Sequence, residues 1–318
     1  MVSKPESPDN SGIDLTTKST STLFATLMLL LLCVFWGMTF PATRAALRVT
    51  NPLHFLALRF ALAVIIATPF MALRRIHGED RHRKTLAAHP KELMEAWLRG
   101  AWVGLLLFGG FALQVIGLRY TTASRSGFFT GLLVVMVPPL AYIFRTSRMP
   151  FLTWLGIPVA IFGIYLLADP HTGGLNLGDW LTIACALTFA LQMVALEAAA
   201  RHVKDTWLLT YVQMFIVTTG AAVWCLVEGI PFQMEKAGWI ALIYTAVFGS
   251  LAATWMQTKF QPQVPAGHAA LIFMAEPVFA SLFAWMLLGE GWTSRGVIGA
   301  SVILIAMVIS SLAVRRST

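Results

Sequence analysis

Ten long apolar stretches constrain the fold of this chain more than any other feature of its sequence. A helix that crosses a bilayer needs about 20 largely apolar residues, because the hydrocarbon core is about 30 Å thick and each helical residue adds about 1.5 Å. The stretches lie approximately at residues 23–47, 53–73, 97–118, 124–144, 151–168, 178–200, 207–227, 238–257, 266–288 and 295–314. The sequence therefore predicts an all-α integral membrane protein with ten transmembrane helices.

Composition excludes the main alternatives to this class. Hydrophobic residues make up 57% of the 318-residue chain and charged residues only 12%, whereas about a quarter of the residues are charged in a typical soluble domain. Disordered chains are poor in apolar residues, which dominate here. The strands of a membrane β-barrel are about 10 residues long and alternate in polarity, unlike these longer, continuous apolar runs.

The N-terminal segment is predicted to lack a fold up to residue 22. It is rich in Ser, Thr, Pro and Asp and has little to bury. The apolar stretch that follows is longer than the core of a secretory signal peptide, which spans about 7–15 residues. We therefore expect residues 1–22 to form a disordered cytoplasmic tail and the first apolar stretch to remain in the membrane.

The distribution of Lys and Arg residues predicts the orientation. Positive residues are retained on the cytoplasmic side of a membrane, and with the N-terminus inside most of them fall in cytoplasmic connections, above all from Arg74 to Arg99. We expect this excess to contact anionic lipid headgroups rather than nucleic acid. Within it, residues 90–98 are expected to form a short helix in the membrane interface. Both termini are predicted to be cytoplasmic, in a bacterial inner membrane.

No cofactor or metal site is predicted. Cys33, Cys185 and Cys225 fall within apolar stretches and have no CxxC spacing, so we expect them to pack as small apolar side chains. The chain has no Gly-x-x-x-x-Gly-Lys-[Ser/Thr] phosphate loop, which excludes ATP as the direct energy source. A membrane-embedded enzyme would need a nucleophile and base, a metal set or paired carboxylates near one face, and none is visible. A membrane protein without transport activity is the other alternative.

The two halves of the chain resemble each other at an offset of about 153 to 154 residues. Phe35-Trp36-Gly37 aligns with Thr188-Phe189-Ala190, and Leu58-Arg59-Phe60 aligns with Val212-Gln213-Met214. Because each repeat would hold five helices, the second copy must enter the membrane in the opposite orientation, as in many secondary transporters. The predicted organisation is a tail at 1–22, a first repeat at 23–168, a linker at 169–177, a second repeat at 178–314 and a cytoplasmic C-terminus at 315–318.

The same segments resemble the EamA family of the drug/metabolite transporter superfamily, over nearly all of residues 23 to 314. The resemblance rests on Phe35-Trp36-Gly37-Met38-Thr39-Phe40, Leu58-Arg59-Phe60, Tyr120-Thr121-Thr122-Ala123-Ser124-Arg125, Ala269-Ala270-Leu271-Ile272-Phe273-Met274-Ala275-Glu276-Pro277-Val278-Phe279-Ala280 and Leu288-Gly289-Glu290. It implies a ten-helix permease in which helices 1 to 4 and 6 to 9 surround a central cavity while helices 5 and 10 lie outside it.

Two ionisable residues inside the predicted spans are the leading functional candidates. A charge in hydrocarbon costs at least about 2.5 kcal/mol, so it faces a cavity or a partner. Glu276 precedes Pro277 in the ninth span, where it would bind substrate or a proton, or bond to a neighbouring helix. Arg59 lies in the second span, where it would hold a substrate carboxylate or phosphate, form an internal ion pair or anchor its helix at the interface.

Further polar, aromatic and proline residues complete the candidate set. Those for substrate binding or coupling are Trp36, Gln114, Gln192, Gln213, Trp255, Gln257 and His268. Arg44 and Glu197 occupy matching positions of the two repeats and are expected to anchor helix ends or join a gate. Helix interruptions mark where bending can occur, and the hinge candidates are Pro41, Pro138, Pro139 and Pro277.

The sequence thus predicts a secondary active transporter that works by alternating access. The resemblance to the EamA family implies amino acids or related compounds, moved outward, as the foremost substrates, with sugar phosphates, nucleotide sugars or drugs as alternatives. The expected partners are the small-molecule substrate, membrane lipid and a coupling proton. The chain could act as a monomer or as a homodimer.

Overall fold

The computed structural model describes residues 11–48, 50–76, 90–146, 151–168, 174–229, 234, 236–289, 291 and 293–317. Within these ranges the chain is helical and has no strand. Eight helical segments of the described chain are long and apolar enough to cross a membrane. Two shorter apolar helices, Trp154–Leu166 and Ser294–Ile309, are found in addition. The chain is therefore a multi-pass membrane protein, and its described part is all-helical.

We number the α-helices in chain order. They are α1 (Ser11–Ala46), α2 (Pro52–Ile76), α3 (Pro90–Leu118), α4 (Ala123–Gly131), α5 (Leu133–Ile143), α6 (Phe151–Ala168), α7 (Leu177–His202), α8 (Thr206–Glu228), α9 (Lys236–Tyr244), α10 (Ala253–Phe260), α11 (Ala266–Phe273), α12 (Ala275–Leu288) and α13 (Ser294–Ser317). A π-helical segment, Thr245–Ala252, joins α9 to α10 without a break.

Two helices begin earlier than the sequence predicts. Helix α1 starts at Ser11, inside the segment expected to lack a fold, and its membrane span starts at Thr22. A helix already formed by its apolar part extends at little cost into neighbouring polar residues. Helix α3 starts at Pro90 and runs unbroken to Leu118. The stretch expected to be a separate interfacial helix is therefore the exposed first part of a spanning helix.

The fourth and ninth apolar stretches are each interrupted near their middle. At Leu132 and at Met274 the backbone N–H bonds to the carbonyl three residues back, to Phe129 and Leu271 at 3.2 Å. Both interruptions precede prolines, which cannot continue the helix ladder: Pro138 and Pro139 lie in α5 and Pro277 in α12. The hinge candidate Pro41, in contrast, lies in a helix without interruption.

The helices of the two halves have equivalent neighbours. Helix α1 packs against α12, and its counterpart α7 packs against α5. Helix α3 packs against α7, and its counterpart, the α9 to α10 unit, packs against α1. Helix α2 packs against α8, and α6 against α13. These helix contacts therefore recur between helices at corresponding positions in the two halves.

Small residues set the closest helix approaches. A Cβ atom on Gly37 would lie 2.5 Å from Cβ of Phe279, and one on Gly178 would lie 2.4 Å from the carbonyl oxygen of Gly117. Backbones can approach this closely only where side chains are absent. The Gly100-x-x-x-Gly104 pair faces α8, where added Cβ atoms would be 2.9 Å from side chains of that helix. This small-residue pair therefore serves packing within the chain.

Candidate functional site

A central cavity lies where helices of both halves meet. It is lined by Trp36, Thr39, Leu107, Phe111, Gln114, Thr130, Leu133, Phe189, Gln192, Met193, Gln257, Phe273 and Glu276. The volume of the cavity is about 30 Å³, well below the roughly 300–1,000 Å³ of small-molecule sites. In this conformation the side chains therefore close tightly around the space.

The cavity brings together five of the nine residues that the sequence singled out for binding or coupling. These are Trp36, Gln114, Gln192, Gln257 and Glu276. The other four, Arg59, Gln213, Trp255 and His268, are not among its lining residues. The lining side chains come from α1, α3, α4, α5, α7, α10, α11 and α12, so α2 and α8 lie behind the wall. The sequence predicts how deep each of these residues lies along its helix, but not the direction in which its side chain points.

Glu276 presents the cavity with its most polar group. It lies in the first turn of α12, directly after the interruption at Met274, and is 6% exposed. Within the described part of the chain its carboxylate has no hydrogen bond and no ion pair. No Lys or Arg residue is found among the described lining residues. A cationic group of a ligand would therefore find an acceptor here that no described group of the protein occupies.

Four glutamines form a hydrogen-bonded chain across one side of the cavity. Gln257 donates from Nε2 to Oε1 of Gln192 at 3.1 Å and to Oε1 of Gln261 at 3.0 Å. Gln192 donates to Gln213 at 3.4 Å, and Gln213 donates to Thr258 at 3.2 Å. Because both N–H groups of Gln257 are used, its orientation is fixed. Its buried Oε1 has no partner in the described residues.

Arg59 lies outside the cavity, held by the π-helical segment. It is 1% exposed, and it donates from Nε to Oγ of Ser250 at 2.7 Å and from Nη2 to the carbonyl oxygen of Gly249 at 2.9 Å. The same carbonyl accepts from the indole Nε1 of Trp36 at 3.2 Å. One backbone carbonyl thus joins a helix behind the wall to an aromatic residue of the wall.

Aromatic rings form much of the remaining wall. The rings of Trp36 and Phe273 are 5.4 Å apart at an angle of 68°, and those of Phe111 and Phe189 are 5.2 Å apart at 78°. These are edge-to-face contacts, the favoured geometry of aromatic pairs. The faces of such rings also attract cations. The wall therefore suits a ligand that combines an apolar body with a positive group.

The remaining candidates have other surroundings. The Trp255 ring stacks on Trp207 at 5.2 Å, and the Lys259 ammonium lies 4.8 Å from its centre. His268 is buried in the first turn of α11. These residues lie towards the end of the bundle at which α10 finishes and α11 begins.

The two helix-end charges bind local groups. Arg44 donates from Nη1 to the carbonyl oxygen of Leu118 at 3.4 Å, which links the ends of α1 and α3. Glu197 forms an ion pair with Arg201, one turn further along α7, at 3.1 Å. Glu290, which closes the Leu-Gly-Glu motif, lies outside the described residues.

Sequence reasoning missed the best-satisfied ion pair of the described chain. Arg125, at the start of α4, pairs with Asp179, at the start of α7. Asp179 is fully buried and also accepts from Thr121 at 2.7 Å and from the backbone N–H of Asn176 at 3.0 Å. The Asn176-x-x-Asp179 spacing is a helix-start pattern in which each side chain caps the other's backbone N–H. That pattern was available in the sequence, whereas the partner from α4 was not.

Comparison with known proteins gives consistent results. The model of the EamA-like transporter family matches the chain twice, over residues 23–168 and 176–312. An uncharacterized transporter of Archaeoglobus fulgidus is 30% identical over 92% of this chain and 87% of its own length. A chloroplastic WAT1-related protein of Arabidopsis thaliana is 23% identical over 86% of this chain and 66% of its own. A crystal structure with 17% identity, covering 94% of this chain and 99% of that chain, has the same fold at a TM-score of 0.71.

Proposed function

This chain belongs to the EamA-like transporter family, and we propose that it is a secondary active transporter. It would export amino acids or related small metabolites by alternating access. Membership and the helical membrane fold make it a membrane transporter. The substrate class, the direction and the coupling are the proposed part. The observation that carries the substrate class is the Glu276 carboxylate in a cavity between the halves, where no described side chain pairs with it.

We further propose ten membrane spans in two inverted repeats. The eight long spans and the two shorter apolar helices together supply ten. The family model matches the chain twice, and helices at corresponding positions in the two halves have corresponding neighbours. Both observations support two copies of one five-helix unit. With five spans in each copy, the second must be inverted, and rocking of equivalent halves would expose the cavity to one side at a time. The Lys and Arg distribution supports cytoplasmic termini.

The charge of the cavity favours an amine over a phosphate. A phosphate group in a membrane site needs Arg or Lys donors, and the described lining residues include neither. Arg59 lies behind Phe111, which forms part of the wall. A primary ammonium, in contrast, would pair with Glu276 while its apolar part contacts the aromatic wall. Sugar phosphates and nucleotide sugars are therefore less suitable than amino acids or amines, and cationic drugs form the second candidate class.

Glu276 also suits proton coupling. The same carboxyl group would bind the substrate amine in one state and a proton in the other. The amine and the proton therefore could not be bound at the same time. Such exclusion would exchange an outgoing amine for an incoming proton, as in transporters whose intramembrane carboxylates relay protons. We therefore propose that a single group serves binding and coupling.

Counterflow in proteoliposomes tests the substrate proposal. The probes are phenylalanine, its methyl ester, which keeps the amine, N-acetylphenylalanine, which lacks it, and glucose 6-phosphate. We expect counterflow of one or both amine-bearing probes and none of the other two. Glu276→Gln should lower this counterflow by about tenfold or more, while Glu95→Gln, on the exposed part of α3, should leave it unchanged. Counterflow of the N-acetyl compound or the phosphate by the unaltered protein would overturn the amine proposal.

A further inference from the structure

One end of the bundle is sealed where α4 and α7 begin. The Arg125–Asp179 pair joins the first half of the chain to the second at this end, which we call the Arg125 end. Arg125 Nε donates to Oδ1 of Asp179 at 3.2 Å, and Nη2 donates to Oδ2, so the contact is bidentate. Bidentate pairs of Arg with a carboxylate are the strongest and most directional of their kind.

A backbone contact closes the same end. A Cβ atom on Gly178 would lie 2.4 Å from the carbonyl oxygen of Gly117 and 2.9 Å from the backbone nitrogen of Thr121. The end of α3 therefore touches the start of α7 beside the ion pair. No space for a metabolite remains between these backbones.

Polar side chains of α4 lie between this seal and the cavity. Thr130 lines the cavity, and Ser126 lies one turn nearer to the seal on the same helix face. The Ser126 hydroxyl is fully buried and has no hydrogen-bond partner in the described residues. A buried, unsatisfied hydroxyl costs free energy, and it would gain partners if water or substrate entered along this face. Arg125, next to it, belongs to the seal itself.

The opposite end of the bundle is held by different chemistry. Phe24 of α1 contacts Phe260 at 5.6 Å, and Phe70 of α2 contacts Trp207 at 4.4 Å, each across the two halves. None of the ion pairs that the structure describes lies among these rings. Of the ion pairs that the structure describes, the one that joins the two halves therefore lies at the Arg125 end.

We propose that the substrate passes between the cavity and the Arg125 end along the Thr130 and Ser126 face of α4, and that the Arg125–Asp179 pair is the gate of this path. The proposal rests on the proposed transport function and adds the route and the residues that close it. Arg125 and Asp179 act by holding the halves together, so they are positioning residues. Ser126 lies on the path and touches what passes.

Labelling of a cysteine at position 126 tests the gate without requiring transport. The variant Ser126→Cys is made together with Cys225→Ser, because Cys225 is the one partly exposed native cysteine, while Cys33 and Cys185 are buried. Protein in nanodiscs, with both faces open to solution, is treated with a charged maleimide. The same protein without Ser126→Cys gives the background rate.

We expect Asp179→Asn to raise the labelling rate at position 126 by about tenfold, because loss of one partner leaves the other charge buried and favours the open state. Arg125→Gln should raise the labelling rate to a similar extent. It serves as the test variant if Asp179→Asn does not fold. The exchanged pair Arg125→Asp with Asp179→Arg should lower the rate again. Glu95→Gln, which removes an exposed ion pair within α3, should leave it unchanged.

The outcomes separate the gate from the proposed function. Unchanged labelling in folded Asp179→Asn and Arg125→Gln proteins would overturn the gate, even where the unaltered protein transports the amine probes. If Glu95→Gln also raised the labelling rate, the variants would loosen the protein in general, and the gate would be overturned as well. A rise restricted to the pair would support the gate, whether or not the counterflow of amines is found.

Discussion

The guanidinium carbon of Arg59 lies 4.9 Å from the centre of the Phe111 ring, and Phe111 separates this charge from the cavity. On its other side the guanidinium donates to Ser250 and Gly249 in the π-helical segment. A buried cation with ring contacts and two acceptors is held without a carboxylate partner among the described residues. In this conformation Arg59 therefore links α2 to the π segment rather than facing a substrate.

Arg59→Lys should destabilise the protein and leave the affinity for the amine probes little changed. Lysine lacks the planar fork that reaches two acceptors at once, and loss of a charge-assisted hydrogen bond costs about 1.5–3 kcal/mol. Thermal unfolding in detergent should show a lowered Tm, and counterflow should show a lowered maximal rate at similar KM. Arg99→Lys, in an exposed pair with Glu95, is the matched control. A raised KM at unchanged Tm would instead identify Arg59 as a substrate ligand.

Gly249→Ala should also destabilise the protein, because its Cβ atom would lie 2.5 Å from Cγ2 of Thr39 and 3.0 Å from Nη2 of Arg59. Overpacking of this kind costs about 1–3 kcal/mol. Thr39→Ser removes the clashing methyl group, so the double variant should recover part of the lost Tm. Gly174→Ala, with open space around it, should have no effect. If the Gly249→Ala protein were as stable as the unaltered one, the π segment would have to shift at little cost to accommodate the added methyl group.

Most spans could be predicted from the sequence because a bilayer imposes one length on every apolar run. The prediction of 207–227 for one span compares with α8 at Thr206–Glu228. The π segment at Thr245–Ala252 has no comparable signal, since its residues are as apolar as those of an α-helix. Its geometry depends on the contacts that Gly249 makes with α1 and α2.

The site could be predicted only in part, for a related reason. Sequence shows how deep a residue lies along a helix, and so it identified Glu276 and Arg59 alike. Which way each side chain faces depends on how glycine contacts rotate and seat the helices, as at Gly37 against Phe279. These contacts join helices that are far apart in the sequence, so the sequence pattern of one helix does not reveal them. They place Glu276 in the cavity and Arg59 behind its wall.

Gln192 and Gln257 should be energetically coupled. Gln192→Leu leaves a donor of Gln257 and the acceptor of Gln213 unpaired, at a cost of about 1–3 kcal/mol. When Gln257→Leu is added, the donor penalty disappears, so the double variant should be less destabilised than the sum of the single ones by about 1 kcal/mol. Chemical unfolding of all four proteins measures the coupling. Gln114 donates to Thr130 instead, so the destabilisation by Gln114→Leu should add to that by Gln257→Leu. Additive destabilisation by Gln192→Leu and Gln257→Leu would contradict the hydrogen-bonded chain of glutamines.

Glu276→Gln should remove the pH dependence of transport along with most of the amine affinity. The amide has nearly the same shape, so packing against the cavity is kept, but it carries no charge and exchanges no proton. In proteoliposomes the unaltered protein should exchange amine for protons, and an imposed pH gradient should drive uptake of the amine-bearing probes. In Glu276→Gln the gradient should drive none, with residual counterflow lowered by about tenfold or more, which corresponds to about 1.4 kcal/mol of lost binding. Glu276→Asp keeps the charge on a shorter side chain and should retain part of both properties. Gradient-driven uptake that persists in Glu276→Gln would assign coupling to a group other than this carboxylate.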